Sequence, residues 1–319
     1  MANDILHLAK KNKNDEFYTR LEDIEDELKH YKDFFKGKTV FCNCDDPRVS
    51  NFFHYFSYNF EHLGLKKLIT TCYKSQNSDL FSQNDSEQAV YLEYTGDKNG
   101  NKVPDAEEIG IKPLKGDGDF RSPECIELLK QADVVVTNPP FSLFREYVAQ
   151  LMEYNKKFLI IGNKNAITYK EIFPLIKDNK LWLGYRNINK DMWLFLPNNS
   201  DNYEKMLEGR KVKHIMACWY TNIDYPLRYE NIDLYKKFTP EEYPKYDNYD
   251  AINVDKISEI PVDYDGVMGV PITFLDKYNP NQFVIIGIDR YVADNPNYGK
   301  RFTINNKEVY ARILIKRKR

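Results

Sequence analysis

The run Val134-Val135-Val136-Thr137 restricts the fold of this chain more than any other stretch does. Consecutive β-branched residues without polar alternation are typical of a strand that is buried on both faces, as in a parallel sheet. Pro139 and Pro140 cannot donate a ladder hydrogen bond, so the strand must end before them. Ser142 is then the predicted N-cap of an amphipathic helix. We therefore expect Asn138 at the carboxyl end of a central strand, where open α/β sheets bind their ligands.

Strands and helices alternate along the first half of the chain. The predicted strands cover residues 38–44, 65–73, 111–115, 133–137 and 157–162. This alternation predicts an α/β fold with a doubly wound, mostly parallel sheet. We expect residues 1–185 to form this core. Residues 186–319 are less periodic, and we expect them to complete the sheet and to carry a separate recognition part.

The tetrapeptide Asn138-Pro139-Pro140-Phe141 suits methyl transfer to an exocyclic or amide nitrogen. It matches the Asn/Asp/Ser-Pro-Pro-aromatic motif of amino-methyltransferases that use S-adenosylmethionine. An aryl amine is a poor nucleophile because its lone pair is delocalised into the ring. The Asn138 side-chain oxygen and the Pro139 carbonyl can each accept one N–H of such an amine, and Phe141 offers a face on which a flipped base can stack. The alternative is a strand that ends in a proline turn without any ligand.

An acidic turn follows the first predicted strand, at Asn43, Asp45 and Asp46. A strand, a tight turn and a helix together form the arrangement that grips a nucleotide-like ligand. Acids replace the usual glycine-rich turn here, which suits the positive sulfonium and amino groups of S-adenosylmethionine better than the phosphates of a dinucleotide. The alternative is helix capping by Asp46, with Pro47 in the first helical position. The second predicted strand ends without an acidic residue that could hold the donor ribose, so that contact is unassigned.

Two further segments are candidates for donor binding. Phe17-Tyr18-Thr19 resembles the aromatic-aromatic-Thr-Pro segment that covers the donor in many adenine methyltransferases, although Arg20 stands where proline is usual. Thr19 is also the predicted N-cap of the following helix. Asp117, Asp119 and Phe120 resemble a loop in which an Asp accepts from the donor adenine and an aromatic residue packs on its ring, with Asp119 preferred over Asp117. The alternative for the two carboxylates is a metal site, but no ligand set is apparent.

The charge distribution gives a weak indication of a nucleic-acid partner. The net charge of −2 does not mark a nucleic-acid binder. Residues 300–319 nevertheless hold eight Lys or Arg against one acid, whereas residues 221–265 hold eleven acids against five bases. The tentative DNA contacts are Lys300, Arg301, Arg312 and Lys316. The alternative is a solvated basic tail.

Cysteine content and hydropathy restrict the compartment. The five cysteines are scattered and odd in number, which indicates free thiols in a reducing compartment. No apolar run has transmembrane length and the chain does not begin with a signal-peptide core, so we expect a cytoplasmic protein. The five histidines do not have metal-ligand spacing, and we expect no metal.

Five segments together resemble the EcoRI adenine methyltransferase family. The segments are residues 42–53, 116–122, 135–144, 243–254 and 266–275. The resemblance is weakest at 74–110, 185–212 and 289–308. It implies a Rossmann-like class I methyltransferase that methylates N6 of adenine in a short duplex DNA sequence with S-adenosylmethionine, and whose C-terminal part recognises the target. The named member of the family recognises GAATTC, so this site is a hypothesis for the present chain.

The resemblance also implies a restriction-modification role. We expect a bacterial or phage-encoded monomer with double-stranded DNA as its partner and no membrane partner. A cognate restriction endonuclease could accompany it and would act separately.

Three other functions are compatible with parts of the sequence. The same motif serves RNA-amine and protein-glutamine methyltransferases, but Phe141 stands where the glutamine enzymes usually have Tyr, and the C-terminal part is long. A catalytically silent module that binds S-adenosylmethionine or DNA would not need the intact motif. A metal-dependent nuclease built on Asp117 and Asp119 is the third. A C5-cytosine methyltransferase is excluded because the sequence contains no Pro-Cys pair.

Overall fold

A computed structural model describes residues 18–44, 50–71, 89–101, 104, 108–190, 192–196, 200, 202–292 and 299–318. The strands within these ranges, in chain order, are β1 Thr39–Asn43, β2 Lys67–Thr71, β3 Val90–Tyr94, β4 Gly110–Pro113, β5 Val134–Thr137, β6 Lys157–Asn163, β7 Trp182–Leu183, β8 Met192–Phe195, β9 Lys205–Leu207, β10 Arg210–Ile215, β11 Ala217–Thr221, β12 Ile252–Asn253, β13 Met268–Pro271, β14 Phe283–Ile288, β15 Thr303–Ile304, β16 Lys307–Glu308 and β17 Arg312–Arg317. The α-helices are α1 Leu21–Leu28, α2 Asn51–Tyr58, α3 Phe60–Leu63, α4 Pro123–Gln131, α5 Phe144–Glu153 and α6 Phe173–Lys177.

The chain divides into two compact units. Unit 1 comprises Met1–Lys164 and Lys190–Ile223, and unit 2 comprises Asn165–Asn189 and Asp224–Arg319. The expected division into a catalytic core, 1–185, and a recognition part, 186–319, concerns function and stays a prediction.

Unit 1 contains a large central sheet, which confirms the predicted α/β class. Its strands run in the order β4-β3-β2-β1-β5-β6-β11. The four middle strands, β2, β1, β5 and β6, are parallel, while β3, β4 and β11 pair antiparallel at the two sides. All four residues of β5 are buried, as expected for the centre of a parallel sheet.

Helices pack against both faces of this sheet. Adjacent residues of a strand point to opposite faces, and Trp219 and Tyr220 are adjacent on β11. Phe52 of α2 meets the Trp219 ring edge-on at 6.1 Å, whereas Phe144 of α5 packs on the Tyr220 ring at 5.0 Å. Helix α2 therefore covers one face and helix α5 the other.

Gly162 on β6 makes the close approach of α5 possible. A Cβ at this position would lie 2.4 Å from the ring of Phe144. The fully buried Phe144 therefore uses the space that glycine leaves on the sheet surface. The position determines how tightly the helix that follows the Asn138 motif packs on the sheet.

The other sheets of the described structure are a second sheet in unit 1 and two sheets in unit 2, the smaller of which is the antiparallel pair β15-β16. Strands β8, β10 and β9 form a three-stranded antiparallel sheet in unit 1. In unit 2 the strand order is β12-β13-β17-β14, with a bulge between Ile285 and Gly287. Its core includes the stacked rings of Tyr246 and Phe302, 4.6 Å apart. In the part of the chain that the structure describes, no helix has the length and apolarity needed to cross a membrane.

Candidate active site

The carboxyl ends of β1 and β5 form the topological switch point of the sheet. β2, the next strand in the chain, lies on one side of β1, and β5 lies on its other side. The connections therefore leave in opposite directions and open a crevice between β1 and β5, which is where open α/β sheets bind ligands. Asn43 ends β1 and Thr137 ends β5. Asn138 follows directly, so the motif expected at a ligand-binding edge lies at that edge.

The Asn138-Pro139-Pro140-Phe141 segment leaves the strand in an extended conformation. Asn138 is 7% exposed and Pro139 is buried. Pro140 has φ −55° and ψ 125°, and a 3-10 turn, Phe141–Leu143, precedes α5. The side chain of Phe141 is half-buried. The segment thus holds one buried amide side chain, fixed proline carbonyls and one partly accessible ring.

The predicted helix cap of Ser142 is wrong. Helix α5 begins at Phe144 with Leu143 as its N-cap, and no side chain caps it. Ser142 lies inside the 3-10 turn, because the double proline delays the α-helical hydrogen-bond pattern by one turn.

Two side-chain hydrogen bonds join the switch point. The Thr137 hydroxyl donates to the backbone carbonyl of Asn43, and the Tyr147 hydroxyl on α5 donates to the Asn43 Oδ1. Burial raises the pKa of Tyr147 well above its ordinary value, so this hydroxyl stays a neutral donor. Asn43, predicted as a donor-binding residue, therefore also ties the end of β1 to the helix that follows β5.

The backbone turns sharply after β1. Cys44 has φ 83°, a left-handed conformation that is uncommon for residues with a side chain. Such strained residues cluster at ligand sites. The predicted donor-binding residues Asp45 and Asp46 come next and lie outside the described residues, as does Phe17.

Tyr18 and Thr19 lie near the start of the helix that follows β1. Tyr18 forms an isolated antiparallel bridge with Phe195, with both N···O distances 2.9 Å. The Thr19 carbonyl accepts from the Asn51 Nδ2 at 2.7 Å, and Asn51 is the first residue of α2. The segment predicted to cover the donor is thus fixed beside the helix that leaves the switch point.

The predicted N-cap Thr19 is also wrong. Helix α1 begins at Leu21, and Arg20 is its N-cap without a side-chain cap. Thr19 is 2% exposed, and its hydroxyl has no hydrogen-bond partner among the described residues.

The loop with Asp117, Asp119 and Phe120 packs on α5. Phe120 is 5% exposed and meets the Tyr147 ring edge-on at 5.0 Å. The Asp117 carboxylate accepts from the Asp119 N–H at 3.0 Å. Phe120 thus places this loop against Tyr147, the residue that contacts Asn43.

Asp119 forms a bidentate ion pair with Arg121. The guanidinium donates from Nε to Oδ1 at 2.9 Å and from Nη2 to Oδ2 at 2.6 Å. Arg121 also bridges to Glu146 of α5 at 2.8 Å, and hydrogen bonding to Asp119 raises the Arg121 pKa. Any ligand amine that Asp119 accepts must share these carboxylate oxygens with Arg121, whereas Asp117 is exposed.

The residues around the switch point fit a polar nucleoside-like donor. In-register residues of parallel strands share a face, and Thr71 of β2 pairs with Asn43. Thr71 is 1% exposed, and its hydroxyl, like that of Thr19, has no partner in the described part of the chain. A buried hydroxyl without a partner costs about 1–3 kcal/mol, so a ligand that completes its hydrogen bonding would be stabilising. Within the described ranges no group of three potential metal-ligating side chains occurs.

The tentative DNA contacts all lie in unit 2 and differ in accessibility. Lys300 and Lys316 are exposed, and Arg301 is half-buried. Arg312 is 7% exposed, and its guanidinium donates to Asn253 Oδ1 and to Asp255 Oδ1, both at 3.0 Å. Arg312 is therefore part of the internal structure of unit 2.

Comparison with known proteins matches nearly the whole chain to one family. The family described as adenine-specific methyltransferase EcoRI matches residues 5–318. The chain belongs to this family. The resemblance drawn from the sequence segments is thereby confirmed.

The similar proteins align with this chain over nearly their full length. The type II methyltransferase M.EcoRI of Escherichia coli is 51% identical, with 100% of this chain and 98% of the relative covered. M.MgeORF184P of Mycoplasma genitalium is 41% identical and M.MpnI of Mycoplasma pneumoniae is 37% identical, each with 97% of both chains covered. Both are also named type II methyltransferases. No solved structure matches significantly.

Three residues that the structure places around the switch point were not expected from the sequence. Tyr147 lies in the amphipathic helix predicted after Ser142 but received no role of its own, Arg121 had no role, and Thr71 was not considered. Tyr147 and Asn43 are 104 positions apart, and Arg121 is 25 positions from Glu146, its partner on α5. The second predicted strand ends without the acidic residue that could hold the donor ribose. The hydroxyl of Thr71 at the end of β2 was the available signal that this residue could take its place.

Proposed function

We propose that the protein is a site-specific DNA adenine N6-methyltransferase that uses S-adenosylmethionine, as part of a restriction-modification system. The observation that supports this proposal is the position of Asn138-Pro139-Pro140-Phe141 at the switch point of a methyltransferase-family sheet. A paired adenine has its N6 engaged inside the duplex, so the target base must be flipped out to reach this site.

Asn138 and Pro139 then activate the target amine. The Asn138 Oδ1 and the Pro139 carbonyl accept the two N6 hydrogens, which favours tetrahedral nitrogen and localises its lone pair. The Phe141 ring stacks on the base and fixes its plane. Positioning of the amine for in-line attack is the main catalytic contribution of the chain, and no covalent nucleophile takes part.

The crevice between β1 and β5 is the proposed donor site. When bound, S-adenosylmethionine supplies an electrophilic methyl group on its sulfonium. We assign the donor contacts to Phe17, Tyr18, Thr19, Asn43, Asp45, Asp46, Asp117, Asp119 and Phe120. The buried hydroxyls of Thr19 and Thr71 support a polar ligand beside them, and Thr71 is our candidate for the unassigned ribose contact.

The C-terminal part, 186–319, is the proposed site of target recognition. Lys300, Arg301 and Lys316 are the proposed phosphate contacts, because they are at least partly accessible cations and phosphate contacts supply a large share of the affinity for DNA. We propose GAATTC as the target, since this chain and M.EcoRI are 51% identical. We propose a monomer in the bacterial cytoplasm, with a cognate restriction endonuclease that acts separately.

The test is methyl transfer to unmethylated duplex DNA that contains GAATTC. The protein is incubated with S-adenosylmethionine, the DNA is digested to nucleosides, and N6-methyladenine is measured by mass spectrometry. Asn138→Ala should lower the transfer rate by about a hundredfold or more, because an interaction made at the reacting group is lost. Its donor affinity and melting temperature should equal those of the wild type.

Asn163→Ala is a suitable control, because Asn163 ends the neighbouring strand β6. Wild-type rates in Asn138→Ala would contradict the role of Asn138. Methylation of RNA or of protein amides, but not of DNA, would contradict the substrate assignment.

A further inference from the structure

The small sheet of unit 1 gathers basic and aromatic side chains on one face. In the antiparallel register, His214 pairs with Trp193 and Val212 pairs with both Phe195 and Lys205. Paired residues share a face and alternate residues return to it. This face, which we call the hairpin face, carries Trp193, Phe195, Lys205, Leu207, Arg210, Val212 and His214.

The cations of the hairpin face lie over aromatic rings. The Lys205 ammonium is 3.6 Å from the centre of the Trp193 ring. The Arg210 guanidinium is 4.0 Å from the Phe195 ring and 6.0 Å from the Tyr18 ring. The His214 ring lies 5.6 Å from Trp193. These contacts reduce the freedom of long side chains and hold their charges in place.

The cations of the hairpin face remain available to an external anion. Lys205 is exposed, and Trp193, Arg210 and His214 are half-buried. None of the ion pairs between described residues involves Lys205 or Arg210. The described members of this face include no carboxylate, because Glu204 lies on the opposite face and Glu208 lies in the turn between β9 and β10. The face is thus a positive surface with aromatic edges.

The hairpin face is connected to proposed donor-binding residues within unit 1. Phe195 pairs through its backbone with Tyr18, and the next residue, Thr19, is hydrogen-bonded to Asn51. Asn51 begins α2, the helix that follows β1 at the switch point. A backbone bridge and one side-chain hydrogen bond therefore link this face to the helix that leaves the switch point.

We propose that the hairpin face contacts the sugar-phosphate backbone of the DNA strand next to the flipped adenine. This inference rests on the proposed function. The positive charges held over the rings can bind phosphate oxygens, and the half-buried rings of Trp193 and His214 can pack on sugars or unstacked bases. The face positions the DNA and does not read its sequence, because phosphate contacts are the same for every sequence. It is separate from the basic residues of unit 2.

The test measures DNA binding without methyl transfer. Fluorescence anisotropy gives Kd for a GAATTC duplex and for a scrambled duplex, with S-adenosylhomocysteine present, between about 50 and 200 mM salt. The variants are Lys205→Gln, Arg210→Gln and the double variant. The matched control is Lys112→Gln, since Lys112 is also a strand lysine over a ring, 5.4 Å from Tyr91, and lies at the β4 edge. Arg210→Lys keeps the positive charge at this position, so it distinguishes loss of the charge from a structural effect of losing the guanidinium.

The double variant should bind both duplexes about tenfold more weakly. The slope of log Kd against log salt should fall by about one for each lost contact. Lys112→Gln and Arg210→Lys should keep the wild-type slope, and all variants should bind S-adenosylhomocysteine normally. A double variant with wild-type Kd and slope would overturn the proposal, and so would a loss confined to the GAATTC duplex.

Failure of the proposed function gives a different result. If the wild type binds duplex DNA but does not methylate it, the proposed function fails. The slopes of log Kd against log salt of the wild type and the variants then still show whether the hairpin face contacts DNA. If the wild type does not bind duplex DNA at all, both proposals fail.

Discussion

Two buried Asn–Tyr pairs, one in each unit, have the same chemistry but different surroundings. In unit 1 the Tyr147 hydroxyl donates to Asn43, and in unit 2 the Tyr246 hydroxyl donates to Asn253 at 2.9 Å. Each Asn is the last residue of its strand, β1 or β12. The same local bond therefore fixes the end of a strand in both places.

The surroundings of the two pairs explain their different roles. In unit 2 the Arg312 guanidinium donates to both Asn253 and Asp255. Its positive charge is therefore balanced by the Asp255 carboxylate, and Asn253 has its hydrogen-bond partners within the unit. In unit 1 the pair lies next to the strained Cys44 and to Thr71, a buried hydroxyl with no partner among the described residues. We infer that the unit 2 network stabilises the fold, whereas the unit 1 pair frames a ligand site.

The largest expected stability effect is in the unit 2 network. Arg312→Met should lower the free energy of unfolding by about 1.5–3 kcal/mol, because hydrogen bonds from a charged donor are lost at a buried position. Lys316→Met, an exposed position on the same strand, should change it by about 0.5 kcal/mol or less. Chemical denaturation measures both. If Arg312→Met kept full stability but weakened donor binding, the contrast between the two networks would be wrong.

A smaller effect should separate the two tyrosines. Tyr147→Phe and Tyr246→Phe should each lower the free energy of unfolding by about 1 kcal/mol, since each loses one buried hydrogen bond. Only Tyr147→Phe should also weaken donor binding, because Asn43 then loses its orientation. Calorimetric titration with S-adenosylhomocysteine measures this difference. Equal donor affinities in the two variants would mean that the Asn43–Tyr147 pair is as purely structural as its counterpart.

The smallest effect concerns Thr71. Thr71→Val should leave the donor-free protein as stable as the wild type or stabilise it by up to about 1 kcal/mol, because a buried hydroxyl without a described partner is removed. Donor affinity should fall severalfold.

The matched control for Thr71→Val is Thr221→Val, since the Thr221 hydroxyl donates to the Phe158 carbonyl at 2.7 Å. This control should lose stability without losing donor affinity. Thermal denaturation with and without S-adenosylhomocysteine distinguishes the two variants. A Thr71→Val protein that binds the donor normally would remove Thr71 from the site.

Local sequence patterns predicted the central sheet well because a buried strand has a strong composition signal. The β-branched run before Asn138 became β5, and the predicted strands on either side became β1, β2 and β6. Helix starts were predicted less well. Ser142 and Thr19 are good capping residues, but the double proline and the bridge from Tyr18 to Phe195 moved the helix starts beyond them.

The sequence by itself determined the α/β class, the Asn138-Pro139-Pro140-Phe141 motif at a strand end, and the family. These depend on neighbouring residues, or on long matched segments, whose meaning does not require a partner from elsewhere in the chain. Only the tertiary structure decided which groups meet: Tyr147 with Asn43, Arg121 with Glu146, and Arg312 with Asn253 and Asp255. The reason is physical, because each such contact joins side chains whose distance depends on sheet order and helix packing.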